Sequence, residues 1–106
     1  MRGREMRRFW DERAREDAFF FVDDRLTYRH PDLDSFWRGG EEALDGLLGA
    51  CGVALSRDEE VVEIGCGAGR MTRAIAARAR SVRGLDVSSE MLDVARRMNP
   101  QLENVE

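Results

Sequence analysis

At 106 residues, with 42% hydrophobic and 36% charged residues and a net charge of −4, the sequence describes one ordinary globular domain and excludes the disordered and fibrous classes. All 17 basic residues are arginine and they are interspersed with 21 acidic ones, not gathered on one face, which argues against a nucleic-acid partner. No apolar run approaches the roughly 20 residues that a membrane span needs, and Met1 to Arg15 lacks the apolar core of a secretory signal, so a cytoplasmic protein with no membrane partner is expected.

Met6, Phe9, Trp10, Ala14 and Ala18 to Phe21 recur at roughly helical spacing, which predicts one amphipathic helix over Met6 to Phe21. Val22 to Leu33, with Asp23-Asp24 and His30-Pro31, reads as a loop. A second helix is expected over Phe36 to Cys51, where Ala43, Leu44, Leu47, Leu48 and Cys51 share one face; Gly39-Gly40 would fray or kink its start and Gly52 would stop it. Glu60-Val61-Val62-Glu63-Ile64 is short, β-branched and bounded by glycine, the signature of a buried strand.

After Gly65-Cys66-Gly67-Ala68-Gly69, an alanine-rich helix is expected over Arg70 to Arg80 and a second strand over Ser81 to Val87. Ser88 or Ser89 then caps a helix reaching Met98, with Met91, Leu92, Ala95 and Met98 as its apolar stripe, and Asn104 to Glu106 reads as the first residues of a third strand. Strand alternating with helix implies parallel strands joined by right-handed crossovers. Cys51 and Cys66 have no metal-ligand spacing, so free thiols and no metal site are expected.

A glycine-rich turn between a parallel strand and its helix brings backbone close to a ligand at the carboxyl end of the strand. Gly65 permits a sharp turn, Gly67 admits close approach, and Gly69 allows strand and helix to pack tightly. Asp86, 21 residues after Gly65, stands where a carboxylate can accept from both hydroxyls of a ribose. These features suit any adenosine-containing cofactor. A dinucleotide fingerprint, however, wants its third glycine three residues after the second, and that position is Arg70.

Glu63-Ile64-Gly65-Cys66-Gly67-Ala68-Gly69 resembles the first motif of class I S-adenosylmethionine-dependent methyltransferases, and Gly84-Leu85-Asp86-Val87-Ser88 resembles the acidic end of that family's second strand. The resemblance covers residues 60 to 106, and 30 to 55 only loosely. It implies S-adenosylmethionine as cofactor, with Glu63 toward the methionine end, Gly65 and Gly67 passing the methionine and ribose portions, Asp86 on the ribose hydroxyls, and Val87 with Met91 against the adenine. The cofactor-binding set is then Glu63, Gly65, Cys66, Gly67, Gly69, Asp86, Val87 and Met91, with no catalytic group and no acceptor named.

The implied architecture is α/β: N-terminal helices over residues 1–55, then the N-terminal half of a Rossmann-like methyltransferase fold over 56–106, its sheet incomplete and cut off before the part that would hold the acceptor. A sheet of two strands and the start of a third leaves one edge of Glu60 to Ile64 unpaired, so the chain is expected either to self-associate or to occur as part of a longer protein, and to transfer no methyl group alone. The rival readings are a nicotinamide dinucleotide-binding oxidoreductase and a non-catalytic interaction fragment. The glycines also serve a plain strand-to-helix turn, and Cys66 reads as a small turn residue in preference to a nucleophile, with no base near it in sequence. For Phe19-Phe20-Phe21 with Trp10 and Trp37, core packing is favoured over a lid.

Overall fold

The computed structural model describes residues 2–106. Helix α1 spans Gly3–Val22, α2 Leu33–Cys51, α3 Thr72–Ala76 and α4 Ser89–Met98; strand β1 spans Glu60–Ile64 and β2 Ser81–Leu85. The strands pair in parallel, with Glu60 opposite Ser81 and Ile64 opposite Leu85. Val105 bridges to Val82 in parallel on the far side of β2, and the Glu106 N–H donates to the Val82 carbonyl at 2.8 Å, so the last residues do extend the sheet. Strand alternation directs Val61 and Glu63 toward α3 and leaves Val62 and Ile64 on the opposite face.

Apolar side chains collect in two clusters. Ala14, Ala18, Phe36, Ala68, Met91 and Val94 join α1, the start of α2, the glycine-rich turn and α4. Leu44, Ala74, Ile75, Ala76, Ala79 and Val82 join α2, α3 and the sheet. Helix α2 is common to both, with Phe36 fully buried in the first and Leu44 in the second.

Three elements depart from the pattern read along the chain. Helix α1 is kinked at Asp17, whose φ of −166° and ψ of 86° are extended; its carboxylate accepts from the Phe20 N–H at 3.3 Å and the Arg29 N–H at 2.5 Å, capping the short second segment. Helix α2 begins at Leu33, three residues early, because Asp32 caps it through the Ser35 N–H. It also runs unbroken through Gly39 and Gly40, which are buried. Regular α-helix after the turn is confined to Thr72–Ala76, with looser turns either side.

Candidate cofactor-binding site

The glycine-rich turn leaves β1 and is fastened at once to β2. The Gly65 and Cys66 N–H groups both donate to the Leu85 carbonyl, at 2.7 and 3.0 Å. Gly65, Gly67 and Gly69 have φ of 76°, 54° and 88°, so all three occupy the left-handed region. At Gly67 a side chain would meet both that backbone strain, about 1 to 2 kcal/mol, and the Val22 methyl, 3.6 Å from the position a Cβ would take.

Asp86 follows β2 directly. Its Oδ2 accepts from the Gly67 N–H at 2.8 Å and its Oδ1 from the Ser88 N–H at 2.9 Å. The carboxylate is therefore held in one orientation by the turn on one side and the start of α4 on the other, and each oxygen keeps a second lone pair for an outside donor. Ser88 is the N-cap of α4, its Oγ accepting from the Met91 N–H at 3.0 Å, as its position predicted.

Above these groups opens a cleft of about 650 Å³. Gly65, Cys66, Gly67, Asp86, Val87 and Met91 line it from the turn and the second strand's end, and Met6, Trp10, Phe21 and Val22 from α1. Six of the eight residues singled out in the sequence thus share one wall. Glu63 and Gly69 do not line it. The alternation of β1 turns the Glu63 carboxylate toward α3, where it accepts the Thr72 hydroxyl; Gly69 borders a smaller cavity, and a Cβ there would make ordinary contact with Ala95 of α4 at 3.5 Å, so its positive φ and not close packing is what favours glycine.

Burial pushes the Glu63 carboxyl above its usual range, against the opposing Thr72 hydrogen bond. Burial, then the negative charges of Glu63 and Asp86, push the Cys66 thiol up to about 11. A thiol so held is a small apolar group lining the turn and not a nucleophile. Among the described residues no three His, Cys, Asp or Glu side chains group as metal ligands.

For the α1 wall the sequence favoured core packing, and this holds for only part of it. The aromatic run divides: Phe19 packs in the core edge-on to Phe36 with centroids 5.0 Å apart, whereas Phe21 and Trp10 face the cleft. Asp11 escaped notice altogether. Its Oδ1 accepts from the Ser88 Oγ at 2.6 Å and the Glu90 N–H at 3.2 Å, contacts that join residues 77 and 79 positions apart. Only its place one residue after Trp10 hinted at this.

Residues 61–106 match the family model described as a methyltransferase domain. The fold is that of the class I methyltransferases. Over 98% of its length the chain superposes on 42% of the DhpI–SAH complex, 28% identical, with a TM-score of 0.64. It superposes equally far on 20% of phosphoethanolamine N-methyltransferase 1 from Haemonchus contortus, solved with phosphoethanolamine and S-adenosylhomocysteine, 22% identical, with a TM-score of 0.70. Demethylmenaquinone methyltransferase from Tropheryma whipplei is 33% identical over 72 residues, 68% of this chain and 27% of the relative. The chain thus spans about a quarter of the length of the curated relatives it matches.

Proposed function

We propose that the cleft binds S-adenosylmethionine and that the protein to which this chain belongs transfers its methyl group to an acceptor. The observation that carries this reading is the Asp86 carboxylate: pinned by the Gly67 and Ser88 N–H groups, facing the cleft, and still able to accept from a ribose diol. A cleft of about 650 Å³ with a largely apolar lining is of the size that takes a nucleoside-sized ligand. Val87 and Met91 offer the apolar surface for a purine, and Gly65 and Gly67 allow the backbone to lie close to the ligand.

Bound there, S-adenosylmethionine supplies a methyl group already activated on a sulfonium. The chain's own part is to orient. Asp86 fixes the ribose, the turn fixes the adjoining segment, and Trp10, Phe21 and Val22 exclude water from the opposite side, so that alignment supplies the rate. A cytoplasmic site of action belongs to the same reading, supported by two free thiols and by the lack, among the described residues, of any helix long and apolar enough to cross a membrane.

Calorimetric titration of the chain with S-adenosylhomocysteine and, separately, with a nicotinamide dinucleotide tests the reading. Binding of the first and not the second is expected. Asp86→Ala should weaken that binding by about 2 to 4 kcal/mol, tens to hundreds of fold, through loss of two charge-assisted hydrogen bonds. An unchanged affinity in a folded Asp86→Ala variant removes the ribose assignment, and preference for the dinucleotide removes the methyltransferase reading.

A further inference from the structure

The segment of α1 that carries Met6 and Trp10 over the cleft is thinly anchored by apolar contact. Before the kink at Asp17, Ala14 is its one core residue and Trp10 packs only partly against the cluster, while Met6 and Phe9 are each 38% exposed. Polar contacts hold it instead, and they converge on the first turn of α4. Asp11 accepts from Ser88 and Glu90, Arg15 meets the Glu90 carboxylate at 2.9 Å, and Arg7 donates to the Ser89 hydroxyl at 3.3 Å. Arg15 and Arg7 are well exposed, so their bonds are weak. Asp11 is largely shielded and its partner Ser88 is fully buried.

Ser88 is also the residue whose N–H orients Asp86. A chain of hydrogen bonds therefore runs from Asp11 through Ser88 to Asp86, from one wall of the cleft to the other. We propose that Asp11 is a positioning residue that latches the α1 wall onto Ser88 and thereby holds both Trp10 and Asp86 in their binding geometry, with Asp17 as the hinge on which the segment opens when the latch is released. The hinge stays in place on opening, because the Asp17 carboxylate is tied to Phe20 and Arg29 on the far side of the kink. The proposal rests on the cofactor reading of the cleft for its functional meaning, while the latch itself is a property of the free chain.

Amide hydrogen exchange of the free chain tests the latch without any ligand, in wild type, Asp11→Ala and Asp11→Asn. Asn keeps an oxygen able to accept from Ser88 and Glu90; Ala does not. In Asp11→Ala, exchange over residues 6–16 and 88–90 should rise about tenfold, the equivalent of one buried hydrogen-bond pair, with α2 unchanged, and Asp11→Asn should stay within about twofold of wild type. Ser88→Ala, which removes the donor from the other side, should reproduce the local pattern and stands in if Asp11→Ala does not fold. Stopped-flow release of S-adenosylhomocysteine, followed by tryptophan fluorescence with Trp37 replaced by Phe so that Trp10 alone reports, should be about fivefold faster in Asp11→Ala. Exchange unaltered in Asp11→Ala, exchange raised equally in α2, or Asp11→Asn as open as Asp11→Ala would each overturn the proposal. Absence of S-adenosylhomocysteine binding in wild type would instead overturn the cofactor reading, with the latch still judged by exchange alone.

Discussion

Gly40 of α2 lies directly against the carbonyl of Arg70, so that a Cβ added at Gly40 would stand 2.0 Å from that oxygen and 2.7 Å from its carbon. The contact is with backbone, at the end of the glycine-rich turn, and neither side can swing away. In an exposed helix, Gly→Ala gains about 1 kcal/mol of helix propensity. Here the overlap dominates: Gly40→Ala should cost about 3 kcal/mol net and loosen the turn. Gly46→Ala, on the same helix with nothing within 4 Å of its Cβ, should instead stabilise by about 0.5 to 1 kcal/mol. Urea denaturation of the two variants beside wild type checks both signs, and stabilisation by Gly40→Ala would show that α2 can shift off the turn.

The Asp11 carboxyl is held below its ordinary value of 3.8 by the Ser88 hydrogen bond first, against a desolvation cost, with the Glu90 N–H and the charges of Arg7 and Arg15 adding to it. The Glu90 carboxylate of α4 is paired with Arg15, while its N–H donates to Asp11. A depressed folded value means that Asp11 contributes stability above 3.8, which is lost as pH falls through the folded value. The difference in stability between wild type and Asp11→Asn should therefore shrink as pH is lowered below 4, measured by chemical denaturation from pH 6 to pH 3. A difference that stays constant would mean that Asp11 carries no linked proton.

Cys51 is exposed and Cys66 is buried with its thiol raised to about 11. At pH 8 only about one in a thousand Cys66 side chains is thiolate, so a disulfide reagent should modify one thiol per chain quickly and the second only on unfolding. Because the shift favours the neutral form, Cys66 adds stability at low pH that is lost as pH rises through 11. Two equally fast thiols would show that the turn opens readily.

Val62 and Ile64 are 61% and 86% exposed on the free face of the sheet, and among the described residues β1 is paired on the β2 side alone. An apolar face beside an open strand edge is a surface on which a second copy can pair. The 106-residue chain should sediment as a dimer or larger species at micromolar concentration, and Ile64→Lys should shift it toward monomer. A wild-type monomer under those conditions would show that this face is tolerated bare.

What was legible in the sequence follows the range of the forces involved. Glu60–Ile64 and the Ser88-capped α4 are determined by neighbours: β-branched residues in one case, a serine three positions before Met91 in the other. That Gly67 and Asp86 border one cleft was legible through the family resemblance, whereas the hydrogen bond that joins them was not. The kink at Asp17 was not, since the apolar periodicity runs straight through it and the Arg29 N–H that holds it is 12 residues away. Nor was the burial of Gly39 and Gly40, which depends on Arg70, or the split of Phe19 from Phe21, which depends on where α2 and α4 lie. Spacing marks an apolar face; it does not say whether that face meets a core or a cleft.

Helix α2 places Phe36 in the cluster beneath the cleft and Leu44, two turns on, in the cluster beneath the sheet. A rigid rod shared by two interiors cannot leave one without disturbing the other. Full melting of the α1–α4 layer, unlike opening of the segment before Asp17, would remove the partners of Phe36 and so would be felt at Leu44 on the same helix. The two interiors are in this sense a single cooperative unit, and the integrity of the glycine-rich turn, which touches the rod at Gly40, is set by the packing of side chains well outside the cleft.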